Sequence, residues 1–291
     1  MQSKNVLITG SSGQLGTQFK LSKNASSDKF FYTSRSELDI TNFEQLVDYI
    51  ISNKIDIVIN CAAYTKVEEA EEFYKDAYNI NKEGCKNLAE ISSSFDVIII
   101  HISTDFVFDS PNKIFLDEKS PTNPVSAYGK SKLAGENEFF KKFNSKFIII
   151  RSGWLYSLHG KNFLNTIIEL LNTKNSINVI SDQFGTPTNC EDLTSAIFNI
   201  IKHPNFEYFA KKQSLYHFSN SDFCSWYDFA IAIKKGINSN CKVLPIKTSE
   251  YKSKARRPRN SILNLSKIKK DFDIETLSWG SSLSKAIEKL K

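Results

Sequence analysis

The chain has 291 residues, 41% of them hydrophobic and 24% charged, with a formal net charge of +6. This length suits one large α/β domain or two smaller units sharing a cleft, and the composition excludes disorder as the starting expectation. No apolar run reaches the ~18 residues of a membrane-spanning helix, so no membrane association is expected.

The N-terminal segment up to Thr9 lacks a signal peptide's cleavage pattern and leads straight into glycines, which predicts a cytoplasmic protein. Five cysteines (Cys61, Cys85, Cys190, Cys224, Cys241) are odd in number and have no CxxC spacing, which predicts reduced, mostly buried thiols and neither a disulfide framework nor a zinc site. The four histidines (His101, His159, His203, His217) show no metal-ligand spacing either, and His101 is expected to be buried in a strand. Lysines interspersed with acids describe a solvated surface, not a nucleic-acid stripe. One dense basic cluster, Lys254, Arg256, Arg257 and Arg259, reads either as an anion clamp or as a solvated loop.

In chain order, Val6 to Thr9, Phe30 to Tyr32, Ile55 to Asn60 and Val97 to Ser103 are short apolar runs that read as strands buried on both faces. Between them, residues 42–52 place Phe43, Leu46, Val47 and Ile50 on one helical face. Asp76 to Ser93 predicts one long helix with Ala77, Ile80, Leu88 and Ile91 inward. A fifth strand, Phe147 to Arg151, follows a helix over 127–142. This alternation implies right-handed crossovers and an α/β fold with a doubly wound parallel sheet of Rossmann type. Beyond Arg151 helices are expected near 161–173, 190–202, 224–236 and 281–290. Short strands are expected near Ile177–Ile180, Leu215–Phe218 and Lys242–Pro245. Residues 1–152 read as a dinucleotide-binding domain to which 175–192 and 240–265 return; the rest of 153–291 reads mainly as a smaller substrate-binding lobe.

The first strand runs into Gly10-Ser11-Ser12-Gly13-Gln14-Leu15-Gly16 and then a helical pattern from Thr17. Glycines there let backbone amides at a helix start approach a pyrophosphate that side chains would keep away. The spacing is GxxGxxG rather than GxGxxG, and tight turns use glycine in any case. Its place after the first strand of a βαβ pattern is what points to a dinucleotide. At the end of the second strand an acidic residue would accept the ribose hydroxyls of NAD. Thr33-Ser34-Arg35-Ser36 stands there instead. Arg35 suits the 2′-phosphate of NADPH, with a solvated arginine as the alternative. NADPH is therefore preferred and NADH stays open.

The fourth strand ends in Ser103-Thr104-Asp105, and Tyr128 and Lys132 follow four residues apart, on one face of a helix. A phenol of ordinary pKa near ~10 is a sluggish proton donor or acceptor, and a nearby ammonium is expected to bring it toward the working range. Thr104 can hydrogen-bond the same substrate oxygen. Together these groups can polarise a carbonyl and supply its proton while a nicotinamide hydride attacks the carbon. YxxxK alone is common. Its value here lies in following a glycine-turn βαβ unit, Asn60-Cys61-Ala62-Ala63, an Asn81 on the next helix and the Thr104 hydroxyl.

These blocks are joined by Leu38-Asp39-Ile40-Thr41, Tyr64-Thr65-Lys66-Val67-Glu68, Arg151-Ser152-Gly153-Trp154-Leu155-Tyr156, Asp182 to Thr188 and Arg257-Pro258-Arg259-Asn260-Ser261. In this order and over nearly the whole chain they resemble the extended short-chain dehydrogenases and, within them, the dTDP-4-dehydrorhamnose reductase family. The resemblance implies reduction of a 4-keto nucleotide-sugar by NADPH or NADH. It implies that Tyr128 is the proton donor, Lys132 holds ribose and tunes Tyr128, and Thr104 bonds the ketone. Gln14, Leu15, Asp39, Ile40, Ala62, Ala63 and Tyr64 would border the cofactor along with Gly10, Gly13 and Gly16. Val67, Asp105, Trp154 and Arg257 would face the substrate, although Trp154 also reads as a core tryptophan. Asp182 and Thr188 read as loop-shaping residues.

Two departures stand out. Phe106 replaces a tyrosine common in the family, so one pocket hydroxyl is missing. Gln18 replaces a glutamate with which some members build a Mg²⁺-bridged dimer, and a neutral amide is a weak ligand for a hard cation. A monomer or a weak homodimer without a metal bridge is therefore expected. Two other readings remain open: a different sugar-nucleotide enzyme on this scaffold, such as an epimerase or another 4-ketoreductase, and a non-catalytic subunit like the regulatory subunit of methionine adenosyltransferase. The presence of both Tyr128 and Lys132 favours an enzyme.

Overall fold

In the computed structural model, which describes residues 3–22, 27–110 and 115–290, each strand expected in the first half forms. They are β1 (Asn5–Thr9), β2 (Lys29–Thr33), β3 (Ile57–Asn60), β4 (Ile98–Thr104) and β5 (Lys146–Ser152). Together with Ser214–His217 they form a six-stranded parallel sheet in the order Ser214–His217, β5, β4, β3, β1, β2. The chain leaves β1 to one side for β2 and then returns past it for β3. The crevice at this change of direction opens beyond Thr9 and Asn60, where such sheets bind ligands.

Between the strands lie α1 (Gln14–Leu21), α2 (Phe43–Asn53), α3 (Tyr74–Tyr78), α4 (Gly84–Phe95) and α5 (Ala127–Phe140). One sheet face packs Val6, Ile8, Ile59 and Ile100 on Phe19 and on Leu193 and Ile197. The other packs Leu7, Val58 and Ile99 on Leu46, Leu88 and Phe139. Burial on both faces holds for β1, β3, β4 and β5. It does not hold for β2, where only Thr33 is buried, because this strand lies at the sheet edge. On α2, Phe43 also departs from expectation: it sits on the first turn and is 38% exposed.

The single helix expected from Asp76 to Ser93 is interrupted. Asn79–Glu83 forms a π-turn between α3 and α4, and its extra residue rotates the inward face. Ile80 is consequently only half-buried, and Asn81, an amide, points inward at 1% exposure.

The second half differs from expectation in how it divides. The strands Ser176–Ile180 and Lys242–Ile246 pair with each other in parallel and cover a separate core of Leu164, Val179, Phe229, Ile233 and Leu283. These two strands do not join the large sheet, whereas Cys190 and Leu265, at the ends of the stretches 175–192 and 240–265, do pack on its core. The one-sided burial of the two strands is that of a small sheet lying on its own core. The helix Cys190–Lys202, the strand Ser214–His217 and the helix Ser266–Phe272 return instead, carrying Ile200, Tyr216 and Phe272 into the main core. The helices Phe206–Lys211 and Ser266–Phe272 were not anticipated, being too short to display a period. No helix among the described residues is long and apolar enough to cross a membrane.

Arg151 of β5 is tied to Glu136 of α5 by bonds of 2.6 and 2.9 Å, with both side chains almost fully buried. Glu136 also accepts from the Ser103 hydroxyl, and Arg151 lies 5.0 Å from the Phe108 ring. Breaking a buried pair leaves one charge stranded, whereas replacing both partners removes two desolvation penalties. Arg151→Met should therefore destabilise the chain by ~3–5 kcal/mol in urea unfolding, and adding Glu136→Leu should recover most of that loss. Additive losses in the double variant would contradict this account.

Candidate active site

The glycine turn lies where β1 meets α1. Gly10 has φ +63°, and a Cβ there would stand 2.6 Å from the Ala62 nitrogen, so this position needs glycine both for its conformation and for the close approach of the loop after β3. Gly13 occupies the N-cap of α1 and supplies no side-chain cap. The helix therefore presents uncapped amides and the positive end of its dipole, which suits a pyrophosphate. Gln14 Nε2 donates to Cys190 Sγ at 3.1 Å. Leu15 and Ile40 point into the two cores, so any contact they make with a nucleotide is through backbone.

After β2, Ser34 is bonded to the Glu37 carboxylate. Arg35, 70% exposed, donates through Nε to Asp39 at 3.2 Å. Asp39 is thus occupied by Arg35 and, on its other oxygen, by the Thr41 amide and hydroxyl. Partial burial would raise its carboxyl, but these bonds outweigh that and hold it below the usual range.

Beyond β3, Tyr64 is held at both backbone groups by Asn81, whose Nδ2 also donates to Ser131 at 2.9 Å. Ser131 in turn donates to the Tyr128 carbonyl at 2.8 Å. The π-turn therefore lets a single amide brace the loop bearing Ala62, Ala63 and Tyr64 against the helix bearing Tyr128. Val67 is half-buried farther along this loop.

Tyr128 stands beside Thr104, whose Oγ1 donates to Asp105 at 3.2 Å. The Tyr128 ring packs edge-on against Phe106, 5.4 Å between centroids. Burial pushes the phenol up to about 12, and the neighbouring Asp105 adds to this while the Thr104 hydroxyl opposes it. This corrects the expectation that Lys132 lowers it. Lys132 is 2% exposed and turns its amine to the Ile102 carbonyl at 2.7 Å and to His101 Nε2 at 3.3 Å. Burial lowers the affinity of that amine for a proton.

Trp154 takes φ +49° and stacks on Trp226 at 3.3 Å, with Phe163 beyond and Gly185 against the indole. It is a wall of the second lobe as much as a ligand surface. A cavity of about 380 Å³ is lined by Asp109, Gln183, Thr248, Arg256, Arg257 and Arg259, among others. Tyr128 and Lys132 do not line it. Arg257 is already engaged there: it bonds Glu68 at 2.5 Å and also the Ser253 hydroxyl. Lys254 pairs with Glu72 at 2.5 Å. Burial alone would raise Glu68, but Ser253, the Ala255 amide and Arg257 hold it down at about 2. Asp182 accepts from the Thr248 amide and hydroxyl, a loop-shaping role.

The sequence reading gave no role to Glu68, Trp226 or Ser131. Glu68 lay inside a recognised block and carried a charge beside Val67, a usable signal. Trp226 and Ser131 had none beyond their residue type.

Asp105 is 2% exposed against Gly153. Burial pushes its carboxyl up to about 6, against bonds from Ser261 and Thr104. A carboxyl raised on folding contributes stability that is present below its unfolded value near ~4 and lost as pH rises through ~6. Asp105→Asn, which cannot ionise, should therefore gain on the wild type by ~2 kcal/mol between about pH 4 and about pH 7.5 in urea unfolding. A difference that is equal at both pH values would sink this reading.

Comparison with known proteins fits this geometry. The family model described as RmlD substrate binding domain matches residues 4–291. A dTDP-4-dehydrorhamnose reductase of Aggregatibacter actinomycetemcomitans is 36% identical over 96% of both chains. The crystal structure of a dTDP-4-dehydrorhamnose reductase from Bacillus anthracis in complex with NADP superposes with TM-score 0.92 at 34% identity, covering 99% of this chain and 100% of that one. One from Clostridium acetobutylicum gives 0.90 at 38% identity over 98% and 99%. The chain belongs to the dTDP-4-dehydrorhamnose reductase family.

Proposed function

We propose that this chain is an NADPH-dependent oxidoreductase that reduces the 4-keto group of dTDP-4-dehydro-L-rhamnose to give dTDP-L-rhamnose. The observation that carries this reading is Tyr128 of α5 set beside Thr104 at the tip of β4, with its helix braced through Ser131 and Asn81 to the loop that backs the glycine turn. Membership of the family and the relative solved with NADP support the substrate class and the cofactor.

When bound, NADPH supplies the hydride. The amides of Gln14, Leu15 and Gly16 at the uncapped start of α1 would hold its pyrophosphate, with Gly10 and Gly13, whose own amide donates to the Gly10 carbonyl, giving it a close approach. Arg35 faces the 2′-phosphate, steadied through Nε by Asp39. Ile40, Ala62, Ala63 and Tyr64 border the nucleotide, and Lys132 binds ribose. Thr104, whose one hydroxyl proton otherwise goes to Asp105, turns it to the substrate's O4. Tyr128 releases its phenolic proton to the same oxygen as negative charge develops there. A phenol raised by burial starts protonated across the physiological range, which suits a donor. Val67, Asp105 and Trp154 wall the sugar, and Arg256, Arg257 and Arg259 offer positive charge to the diphosphate.

NADPH absorbance should fall on adding the 4-keto nucleotide-sugar. Net consumption of NADPH separates a reductase from an epimerase. Tyr128→Phe should cut turnover by ~100-fold or more while NADPH binding, followed by fluorescence, stays nearly unchanged. Full turnover in that variant would refute the assignment. Lys132→Ala should weaken both NADPH affinity and rate, and unaltered affinity would remove it from the ribose.

A further inference from the structure

The loop after β3 carries a carboxylate that the proposed chemistry leaves without a task. Glu68 and Glu72 flank the 3₁₀ turn Glu69–Glu71. Both meet the loop of residues 253–257 from the second half of the chain. Glu72 pairs with Lys254 and Glu68 with Arg257, each at 2.5 Å. The two bridges differ in what the cation does next. Arg257 lines the cavity beside Arg256 and Arg259, and Lys254 does not.

Glu68 does more than pair with a charge. Its Oε2 accepts from the successive amides of Lys254 at 2.8 Å and Ala255 at 3.1 Å. Its Oε1 accepts from Arg257 Nη2 and faces Ser253 Oγ at 2.8 Å. Ser253 has one proton, for which the Ala255 carbonyl, also at 2.8 Å, competes. The serine oxygen receives Arg257 Nη1, which also lies 3.3 Å from the Ala255 carbonyl. Both ends of the guanidinium are thereby fixed, one by Glu68 and the other by the loop that Glu68 holds. The ion pair is partly exposed, so Coulomb attraction alone would be screened and small. What Glu68 contributes is order: the loop is folded around its carboxylate.

We propose that Glu68 is a positioning residue for substrate binding, holding Arg257 at the cavity in the place where its guanidinium meets the diphosphate of the nucleotide-sugar. This rests on the reading of that cavity as the seat of the diphosphate. Two effects of Glu68 oppose each other. Its negative charge repels a diphosphate, an effect that salt screens. The order it gives Arg257 spares the side chain's ordering cost, worth about two- to tenfold in affinity, and salt leaves that gain in place.

Thymidine diphosphate (dTDP), titrated calorimetrically in about 0.5 M salt, reads this contact apart from the chemistry. Glu68→Gln keeps the length and leaves one oxygen for the two amides. Its NH₂ can then donate to Ser253 but stands donor against donor with Arg257, which it releases. This variant should bind dTDP about two- to tenfold more weakly and raise KM for the 4-keto nucleotide-sugar by a similar factor, with kcat and NADPH affinity unchanged. Glu72→Gln cuts the bridge that does not reach the cavity and should bind dTDP as the wild type does. In an Arg257→Gln background, Glu68→Gln should cost nothing further. Undiminished dTDP binding by Glu68→Gln, an equal loss in Glu72→Gln, or losses that add in the double variant would each overturn the proposal. Arg257→Gln alone separates the two ideas. Intact dTDP affinity there defeats the cavity reading and the proposal built on it. Weakened affinity there, with none in Glu68→Gln, defeats the role of Glu68 alone.

Discussion

The carboxamide of Asn60 ties together the C-terminal ends of β1, β3 and β4. It accepts from Thr9 and from the Ala62 amide and donates to His101. Each of these partners leads to a different part of the site. Thr9 precedes the glycine turn. Ala62 lies where a Cβ on Gly10 would collide. His101 contacts the amine of Lys132. Because Thr9, Asn60 and His101 are buried, leaving any of them unpaired would cost the full desolvation of a polar group. The glycine turn and the helix that carries Tyr128 are thus linked through a side chain placed at the sheet's change of direction.

The same burial sets the chemistry of the pair on α5. Spacing alone suggests a phenol brought down by an adjacent ammonium. In the structure the lysine turns into the protein, toward Ile102 and His101, and the phenol is governed by burial and by Thr104. A protonated phenol beside a hydroxyl is suited to deliver a proton rather than to remove one. The direction of the proposed reaction, reduction of a ketone, therefore agrees with the electrostatics before any ligand is considered.

Much of the cofactor half was legible in the sequence because its signals are local and repeated. Four apolar runs, a glycine turn and a four-residue Tyr–Lys spacing each depend on a few neighbouring residues. The π-turn at Asn79–Glu83 was not legible, since one extra residue leaves the apolar period nearly intact while turning Asn81 inward. Which short strands return to the large sheet was not legible for a related reason. Ser176–Ile180 and Ser214–His217 are equally short apolar runs, and only their partners decide which sheet each joins. The pairing of Arg257 with Glu68 spans 189 residues, a separation that no pattern in one sequence reports.

That pairing bears on how the two lobes meet. Glu68 belongs to the loop after β3, and Arg257 to a loop of the second half. The bond between them, with Ser253 and the Ala255 amide on the same carboxylate, closes one side of the cavity. A single half-exposed ion pair is worth little on its own. Here, however, the carboxylate gathers several donors, and its depressed pKa reflects them together. An arginine carries five donors, and the contacts at Glu68, Ser253 and Ala255 use only part of the fork. The residue can therefore be fixed by the protein and still offer charge to the cavity. Fixing it beforehand removes the entropy that a free side chain would lose on meeting a diphosphate. Its neighbours Arg256 and Arg259, both exposed, keep that freedom and would lose it on binding.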